Sequence, residues 1–370
     1  MHDVCQPHTV LNLSRRHCLQ GSVAWALSVG AGGAWAQDDY VAQYGLLSGT
    51  VELDLGVQPL GVPSGVVSAV MRRDRLLQAA LAARKTPLRS WPFRRGADMV
   101  SLLADQRLDA ALLGDMPTLL AATSAEVWVV GLVKQTATAL VARNNMVVGQ
   151  LAGQRIGVVE ASSAHLTVLQ GLQAAGLSQQ QVQWVFMGVA DMPQALEDGA
   201  LDAFAAWEPF TTIALNKNPR NHIVFRGASS DYFVLSRAFA RQQPQATLEL
   251  VAAFVRALEW MRESQSHLEQ AARWVMADSA AFSGVAPALT SAQVRAITRR
   301  ELLDIPSAPT LLDSGGPPRL KAEFEFLRRL GKLPATAAWA QVEAALAYDG
   351  LTSVQSDERR WRLHTYDYQP

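Results

Sequence analysis

The sequence has almost no cysteine and no excess charge of either sign. Its only thiols among 370 residues are Cys5 and Cys18. A disulfide scaffold, a zinc finger and a cysteine nucleophile are therefore excluded for the rest of the chain. Lysine plus arginine number 33, as do aspartate plus glutamate. The chain thus lacks the broad positive charge that holds nucleic acid, and we expect no nucleic-acid partner.

Motifs of the common catalytic sites are also missing. The sequence contains no G-x-S-x-G elbow, no H-E-x-x-H pair and no phosphate loop ending in Gly-Lys-Ser/Thr. Its seven histidines are scattered, and His2, His8 and His17 lie near the start. We therefore predict that the protein is not an enzyme and that it has no catalytic residues, no metal and no cofactor. A hydrophobic content of 49% indicates a globular chain, and its length suits two domains.

The first 36 residues have the pattern of an export signal. Ser14, Arg15 and Arg16 precede a short apolar stretch over residues 23–31, and Ala34-Trp35-Ala36 follows it. A charged start, an apolar middle and a small-x-small exit are typical of a signal peptide. The paired arginines favour the twin-arginine type, with ordinary secretion as the alternative. We expect cleavage after Ala36, which removes both cysteines, and a soluble periplasmic protein.

Strand and helix patterns alternate in two successive series, which predicts an α/β fold with parallel strands and right-handed crossovers. Residues 103–110 are echoed by residues 196–203, and each copy leads into a buried strand followed by an acid and a proline. This echo favours two similar lobes. The predicted strands are 51–57, 88–93, 109–113, 127–133, 137–143, 155–159, 182–187, 202–206, 223–225 and 232–235; the predicted helices are 66–83, 98–105, 164–175, 192–198, 246–276, 291–303, 320–330 and 337–346.

Several segments carry a resemblance, namely Gly56-Val57-Gln58 and residues 108–117, 151–158, 161–165, 198–203 with 207–210, and 324–331 with 333–334. Taken in order, they resemble the periplasmic solute-binding proteins of ABC importers, in the branch for aliphatic sulfonates, taurine, nitrate and the thiamine-precursor pyrimidine. The resemblance spans about residues 50 to 350. It implies a two-lobed periplasmic-binding-protein fold (type II-like) with two hinge crossings, near residues 136–141 and 234–236, and a helical C-terminal part.

The resemblance also implies a domain layout and a function. Residues 50–136 plus 236–350 would form lobe one, residues 137–235 lobe two, and residues 351–370 a C-terminal tail. The expected function is the exported substrate-binding component of an ABC importer, a monomer that captures a small anionic solute between the lobes and delivers it to the permease subunits. An organosulfonate such as an alkanesulfonate or taurine is the first choice.

Several alternatives stay open. The solute could instead be nitrate, a thiamine-precursor pyrimidine or another small organic acid. The same fold also hosts enzymes of the desulfinase and pyrimidine synthase types. The absence of cysteine after the signal disfavours the first, and the export signal disfavours the second.

Candidate site residues lie where strands end and helices begin, which is where open α/β sheets bind ligands. Ser162 and Ser163 offer hydroxyls at a helix N-terminus, a place suited to an anion, although either serine could simply cap the helix. His165 follows them as a possible contact or as a structural residue. The other candidates are Gln58, Ser64, Arg94, Gly114, Asp115, Trp207, Glu208 and Asp231.

The chemistry expected of these other candidates differs from residue to residue. Arg94 would neutralise an anion through a forked contact, and Asp115, Glu208 or Asp231 would take the ammonium of a taurine-like solute. Trp207 would supply an apolar wall, while Gly114 would let the backbone approach the ligand closely. Each also has a structural alternative as a cap, a turn, a buried packing residue or a solvated charge.

Overall fold

The structure is a computed structural model that describes residues 40–302 and 319–369. The predicted signal peptide (residues 1–36) lies outside these ranges. Within the described ranges, no helix combines the length and the apolar character that a membrane crossing requires.

All named strands belong to one eight-stranded sheet, which confirms the predicted α/β class. The strand order is β2-β1-β3-β8-β4-β7-β5-β6. The outer triplets β2-β1-β3 and β7-β5-β6 are internally parallel, whereas β8 and β4 run antiparallel to their neighbours. The strands are β1 (Leu53–Val57), β2 (Leu88–Pro92), β3 (Ala110–Gly114), β4 (Val127–Ala142), β5 (Arg155–Val158), β6 (Gln183–Phe186), β7 (Ala203–Ala206) and β8 (His222–Ser236).

Helices cover the sheet and form most of the C-terminal part. They are α1 (Ser64–Arg73), α2 (Arg75–Ala83), α3 (Ala97–Ala104), α4 (Asp115–Ser124), α5 (Ser163–Ala174), α6 (Met192–Glu197), α7 (Phe210–Lys217), α8 (Arg237–Gln242), α9 (Pro244–Glu263), α10 (Gln265–Ser283), α11 (Ser291–Leu302), α12 (Arg319–Arg329), α13 (Trp339–Ala345) and α14 (Asp349–Ser356).

Two segments predicted as single helices are each divided into two helices. The segment 66–83 is interrupted at Asp74, whose extended backbone ends α1 and whose carboxylate accepts the Leu76 and Leu77 N–H groups that start α2. The segment 246–276 is interrupted at Ser264, whose hydroxyl accepts the His267 N–H. In both cases a capping side chain competes with helix continuation, so apolar periodicity alone does not reveal the break.

The two central strands are longer than predicted. The sequence suggested two strands in 127–143 and two more in 223–235, but β4 and β8 each run unbroken and pair along their length. Register shifts in the pairing fall at three places along β4, between Val129 and Gly131, Leu132 and Lys134, and Leu140 and Val141. Strand pairing thus continues through the polar stretch after Val133, where the apolar pattern stops.

The sequence echo corresponds to equivalent positions in the sheet. Residues 103–110 lead into β3, and residues 196–203 lead into β7. Each of these strands is the inner member of its parallel triplet, next to a central strand. The repeat therefore marks two similar α/β units on either side of the β8-β4 pair.

Buried side chains form separate apolar clusters on the two sides of this pair. One cluster combines β1, α1, α9 and α10, and includes Leu55, Val70 and Phe254. Two others surround β5 and β7. Residues 351–363, which the sequence suggested as part of a tail, contribute Leu351, Val354, Trp361 and Leu363 to the first cluster.

Candidate functional site

The centre of the sheet contains a polar span between the two parallel triplets. The last residue of β3, Gly114, pairs with Asp231, and the last residue of β7, Ala206, pairs with Ala139. Between these points, residues 134–138 of β4 pair with residues 227–231 of β8. The carboxyl ends of both triplets therefore face this span from opposite sides, which is the place where open α/β sheets hold ligands.

Asp231 is the centre of a buried polar cluster on the β3 side. Its carboxylate accepts a hydrogen bond from the Ser64 hydroxyl at the start of α1, and its Oδ1 lies 3.8 Å from the Lys134 Nζ. Gly114 is its partner in the sheet, and a side chain added there would meet Asp231 Oδ1 at van der Waals distance. Ser64, Gly114 and Asp231, all predicted from sequence, are thus brought together.

Asp115 lies beside this cluster at the first residue of α4. Its carboxylate accepts the Met116 N–H at 2.8 Å and the Ser230 N–H at 3.2 Å. Burial raises the pKa of the Asp115 carboxyl to about 6, and the charge of nearby Asp231 adds to this rise. The cap role expected from sequence is wrong, because Asp115 is itself the first residue of α4 and Gly114 takes the N-cap position without a side-chain hydrogen bond. The bond that Asp115 accepts from the Ser230 N–H instead ties α4 to the central strand β8.

Two more candidates lie at the same edge of the sheet. The Gln58 amide donates to the Leu112 carbonyl at 2.9 Å, which joins the ends of β1 and β3. Arg94 is exposed after β2. The neighbouring Gly96 packs so closely on Pro117 of α4 that a β-carbon there would lie 2.7 Å from the Pro117 ring. The Gln58 side chain is therefore fixed between the ends of β1 and β3, whereas Arg94 lies on the surface after β2.

The serine pair lies on the opposite side, at the start of α5. The Ser162 hydroxyl accepts the His165 N–H at 3.2 Å and donates to the Val159 carbonyl at 2.7 Å, so it caps the helix. Ser163 is buried in the first turn. One turn later, the Thr167 hydroxyl bonds to that of Thr138 on β4. This contact holds the N-terminal half of α5 against the polar span.

His165 packs within an aromatic group rather than among polar residues. Its ring makes edge contacts with Trp184, Phe186 and Phe326, at centroid distances of 4.9, 5.7 and 5.6 Å. The Ala161 N–H donates to its Nδ1 at 3.3 Å. Burial lowers the pKa of His165, so the imidazole is neutral at neutral pH. Contact with a ligand stays a prediction for this residue.

The turn after β7 connects to elements on the far side of the span. Glu208 is buried; it accepts the Thr212 N–H at 3.1 Å and a hydrogen bond from Arg300 on α11 at 2.8 Å. Its carbonyl accepts the Val62 N–H at 3.3 Å. Trp207 is half-buried and packs on the cluster around β5. The Glu208 turn thus contacts both the loop before α1 and the C-terminal part.

Three residues of this region were missed from the sequence, namely Lys134, Arg300 and Glu301. Lys134 is the single charge in the sixteen residues of β4, and that isolation was a usable signal. Glu301 is also buried; its Oε1 accepts from Arg300 at 3.2 Å. Burial raises the pKa of Glu301 to about 7; nearby Lys134 lowers it and Glu208 raises it further.

Comparison with known proteins gives a family and two curated relatives. The profile of the NMT1-like family matches residues 82–276. A protein of Escherichia coli (strain K12) named for binding aliphatic sulfonates is 30% identical over 42% of this chain and 50% of its own length. A protein of the same name from Bacillus subtilis (strain 168) is 28% identical over 49% of this chain and 56% of its own length. The chain thus spans about half the length of these relatives.

Solved structures of binding proteins and of an enzyme share the fold. The alkanesulfonate-binding protein SsuA from Xanthomonas axonopodis pv. citri bound to MOPS has a TM-score of 0.60 at 22% identity, over 81% of this chain and 99% of its own. The periplasmic nitrate-binding protein NrtA from Synechocystis PCC 6803 has a TM-score of 0.56 at 12% identity, over 83% of this chain and 89% of its own. The desulfurization enzyme DSZB gives 0.58 at 17%, over 83% and 99%. These likenesses show a two-lobed periplasmic-binding fold, as predicted.

Proposed function

The chain belongs to the NMT1-like family, and from this premise we propose that it is the substrate-binding component of an ABC importer, which captures a small organosulfonate in the span between its lobes. The observation that carries the proposal is the arrangement of the sheet. Two parallel triplets direct their carboxyl ends at one polar span, and the β4-β8 pair that crosses it is the connection about which two lobes could close.

The anionic end of the solute is assigned to the start of α5. The first N–H groups of a helix lack partners within the helix, and the helix dipole favours negative charge there. Ser162 holds the turn in shape, and Ser163 and Ala164 follow it in the first turn. A sulfonate needs several convergent donors rather than one counter-ion, and such a turn supplies them.

The same proposal implies a division into lobes, a cellular location and a partner. Lobe one would comprise residues 50–136 plus 236–350, and lobe two residues 137–235, which agrees with the separate apolar clusters on the two sides of the β8-β4 pair. The protein would be exported to the periplasm and would act as a monomer on the permease subunits of its importer. The names of its curated relatives refer to binding, which supports a binder over an enzyme.

A ligand screen tests the proposal. The purified full chain is heated with ethanesulfonate, taurine, nitrate, bicarbonate, small carboxylates and an aminopyrimidine, each in separate samples. A solute at a hundred times its dissociation constant should stabilise the fold by about 2.7 kcal/mol. Stabilisation by sulfonates is the expected result. If only nitrate, a carboxylate or the aminopyrimidine stabilises the fold, the chemical class of that solute replaces organosulfonates as the substrate. If the protein converts any of these solutes to a product, it is an enzyme.

A double substitution tests the assigned turn. Replacing Ser162 and Ser163 together by valine removes both hydroxyls and crowds the start of α5, so sulfonate stabilisation should be lost. Replacing Ser178, which lies in a loop before β6, by valine is the control and should leave sulfonate stabilisation in place. Full sulfonate affinity in the double variant would remove this turn from the site.

A further inference from the structure

The carboxylate of Glu301 is buried with one oxygen left without a partner. The side chain lies near the end of α11 and is about 97% buried, as its exposed fraction is 3%. Its Oε1 accepts from Arg300, but Oε2 is inaccessible to solvent and has no hydrogen-bond partner. An acceptor in this position loses its hydration without replacement, which is unfavourable unless a donor arrives.

The cations near Glu301 are already shared with other carboxylates. Arg300 also bonds to Glu208, and its side chain is 58% exposed, so water screens its charge. Lys134 influences Glu301 from β4, but its Nζ also lies 3.8 Å from Asp231.

Asp115 adds a further carboxyl group to the same region, close to Asp231. Four carboxyl groups, those of Asp115, Glu208, Asp231 and Glu301, therefore share the charges of Lys134 and Arg300. Burial makes unbalanced charge costly, so an additional positive group would be stabilised here.

We propose that Glu301, together with Glu208, accepts a positively charged nitrogen of the solute, and that the solute therefore carries an ammonium or amidinium group in addition to its anionic group. This proposal rests on the function proposed above and narrows its substrate class. The unpartnered Oε2 would accept the N–H of the solute, while the start of α5 would hold the anionic end.

A nitrogen cation fits this place better than a metal ion. Among the residues that the structure describes, no group of three or more histidine, cysteine, aspartate or glutamate side chains is arranged to hold a metal. The donor-poor oxygen of Glu301 instead needs one directed N–H group, which an ammonium or amidinium supplies.

Matched pairs of solutes measure the contribution of the amino group to affinity. Binding of the full chain is measured by calorimetry with taurine against ethanesulfonate, and with β-alanine against propionate; members of each pair differ by one amino group. We expect the amine to improve affinity at least tenfold in the pair whose anionic group fits. Measurable binding of taurine and ethanesulfonate with equal affinity would overturn the amine site and leave the sulfonate function standing.

Other outcomes separate the two proposals. Binding of β-alanine without propionate or any sulfonate would reject the sulfonate and support the amine site. Failure of every amine-bearing probe to bind better than its partner would overturn the amine site. Both conclusions hold whatever the anionic group of the natural solute.

Variants then assign the effect to Glu301. Glu301→Gln should reduce the ratio of the affinity for taurine to the affinity for ethanesulfonate by at least tenfold. Glu263→Gln, an exposed acid on α9, is the matched control and should keep the preference. Glu208→Gln provides a second variant if Glu301→Gln does not fold. Retention of the full amine preference in folded Glu301→Gln or Glu208→Gln would remove the tested residue from the site.

Discussion

Glu301 should make the unliganded protein less stable as the pH rises. Its pKa is raised from 4.5 to about 7 in the folded state, mainly by burial. The folded chain therefore holds this proton at pH values where the unfolded chain has released it. Below pH 4.5 the carboxyl is protonated in both states and costs nothing; between pH 4.5 and 7 the penalty grows, and above pH 7 it is constant.

The size of the penalty follows from the shift. At about 1.4 kcal/mol per pH unit, a rise from 4.5 to about 7 corresponds to about 3 kcal/mol. Glu301→Gln removes the ionisation but keeps the shape of the side chain. The free energy of unfolding of the variant, minus that of the parent, should therefore increase by about 3 kcal/mol between pH 4.5 and 8.

Urea unfolding of both proteins at pH 4.5, 6, 7 and 8, without added solute, measures this difference. Other acids that titrate in the same window, Asp115 above all, are present in both proteins and largely cancel. Glu126→Gln, at an exposed acid paired with Arg237, controls for the loss of any acid, and its difference from the parent should change by less than about 1 kcal/mol over the same range. A difference that is the same at pH 4.5 and pH 8 would refute the reasoning that Glu301 is buried without adequate compensation.

Two further predictions concern stability away from the site. Arg256 and Asp74 form a fully buried ion pair at 2.7 Å, so Arg256→Ala should lower the free energy of unfolding by about 3–5 kcal/mol, whereas Arg75→Ala, at an exposed pair, should cost under about 1 kcal/mol; equal losses in urea unfolding would contradict this. Gly227→Ala would place a β-carbon against Thr167 and should cost about 1–3 kcal/mol; an unchanged midpoint would show that α5 shifts freely.

The sequence predicts the fold better than it predicts the limits of its elements. Alternation of strand and helix, with the echo of residues 103–110 at 196–203, is sufficient for the α/β class and the two similar units, since both depend on local periodicity and order along the chain. The interruption between α1 and α2 depends on the capping side chain of Asp74. The continuity of β4 through Lys134 depends on its pairing with β8. Those interactions are tertiary or confined to one residue, so apolar patterns miss them.

Site residues divide in the same way. Residues next to a strand end, such as Ser64, Asp115 and Glu208, are found from sequence because chain order alone places them at the sheet edge. Glu301 lies in the last turn of a helix beside Arg299 and Arg300, where a charged run normally indicates a solvated surface. Its burial arises because α11 packs on β4, which brings it close to Lys134. The proposed amine contact at Glu301 therefore depends on packing between distant parts of the chain, whereas the acids that the sequence offers for an ammonium, Asp115, Glu208 and Asp231, follow from chain order alone.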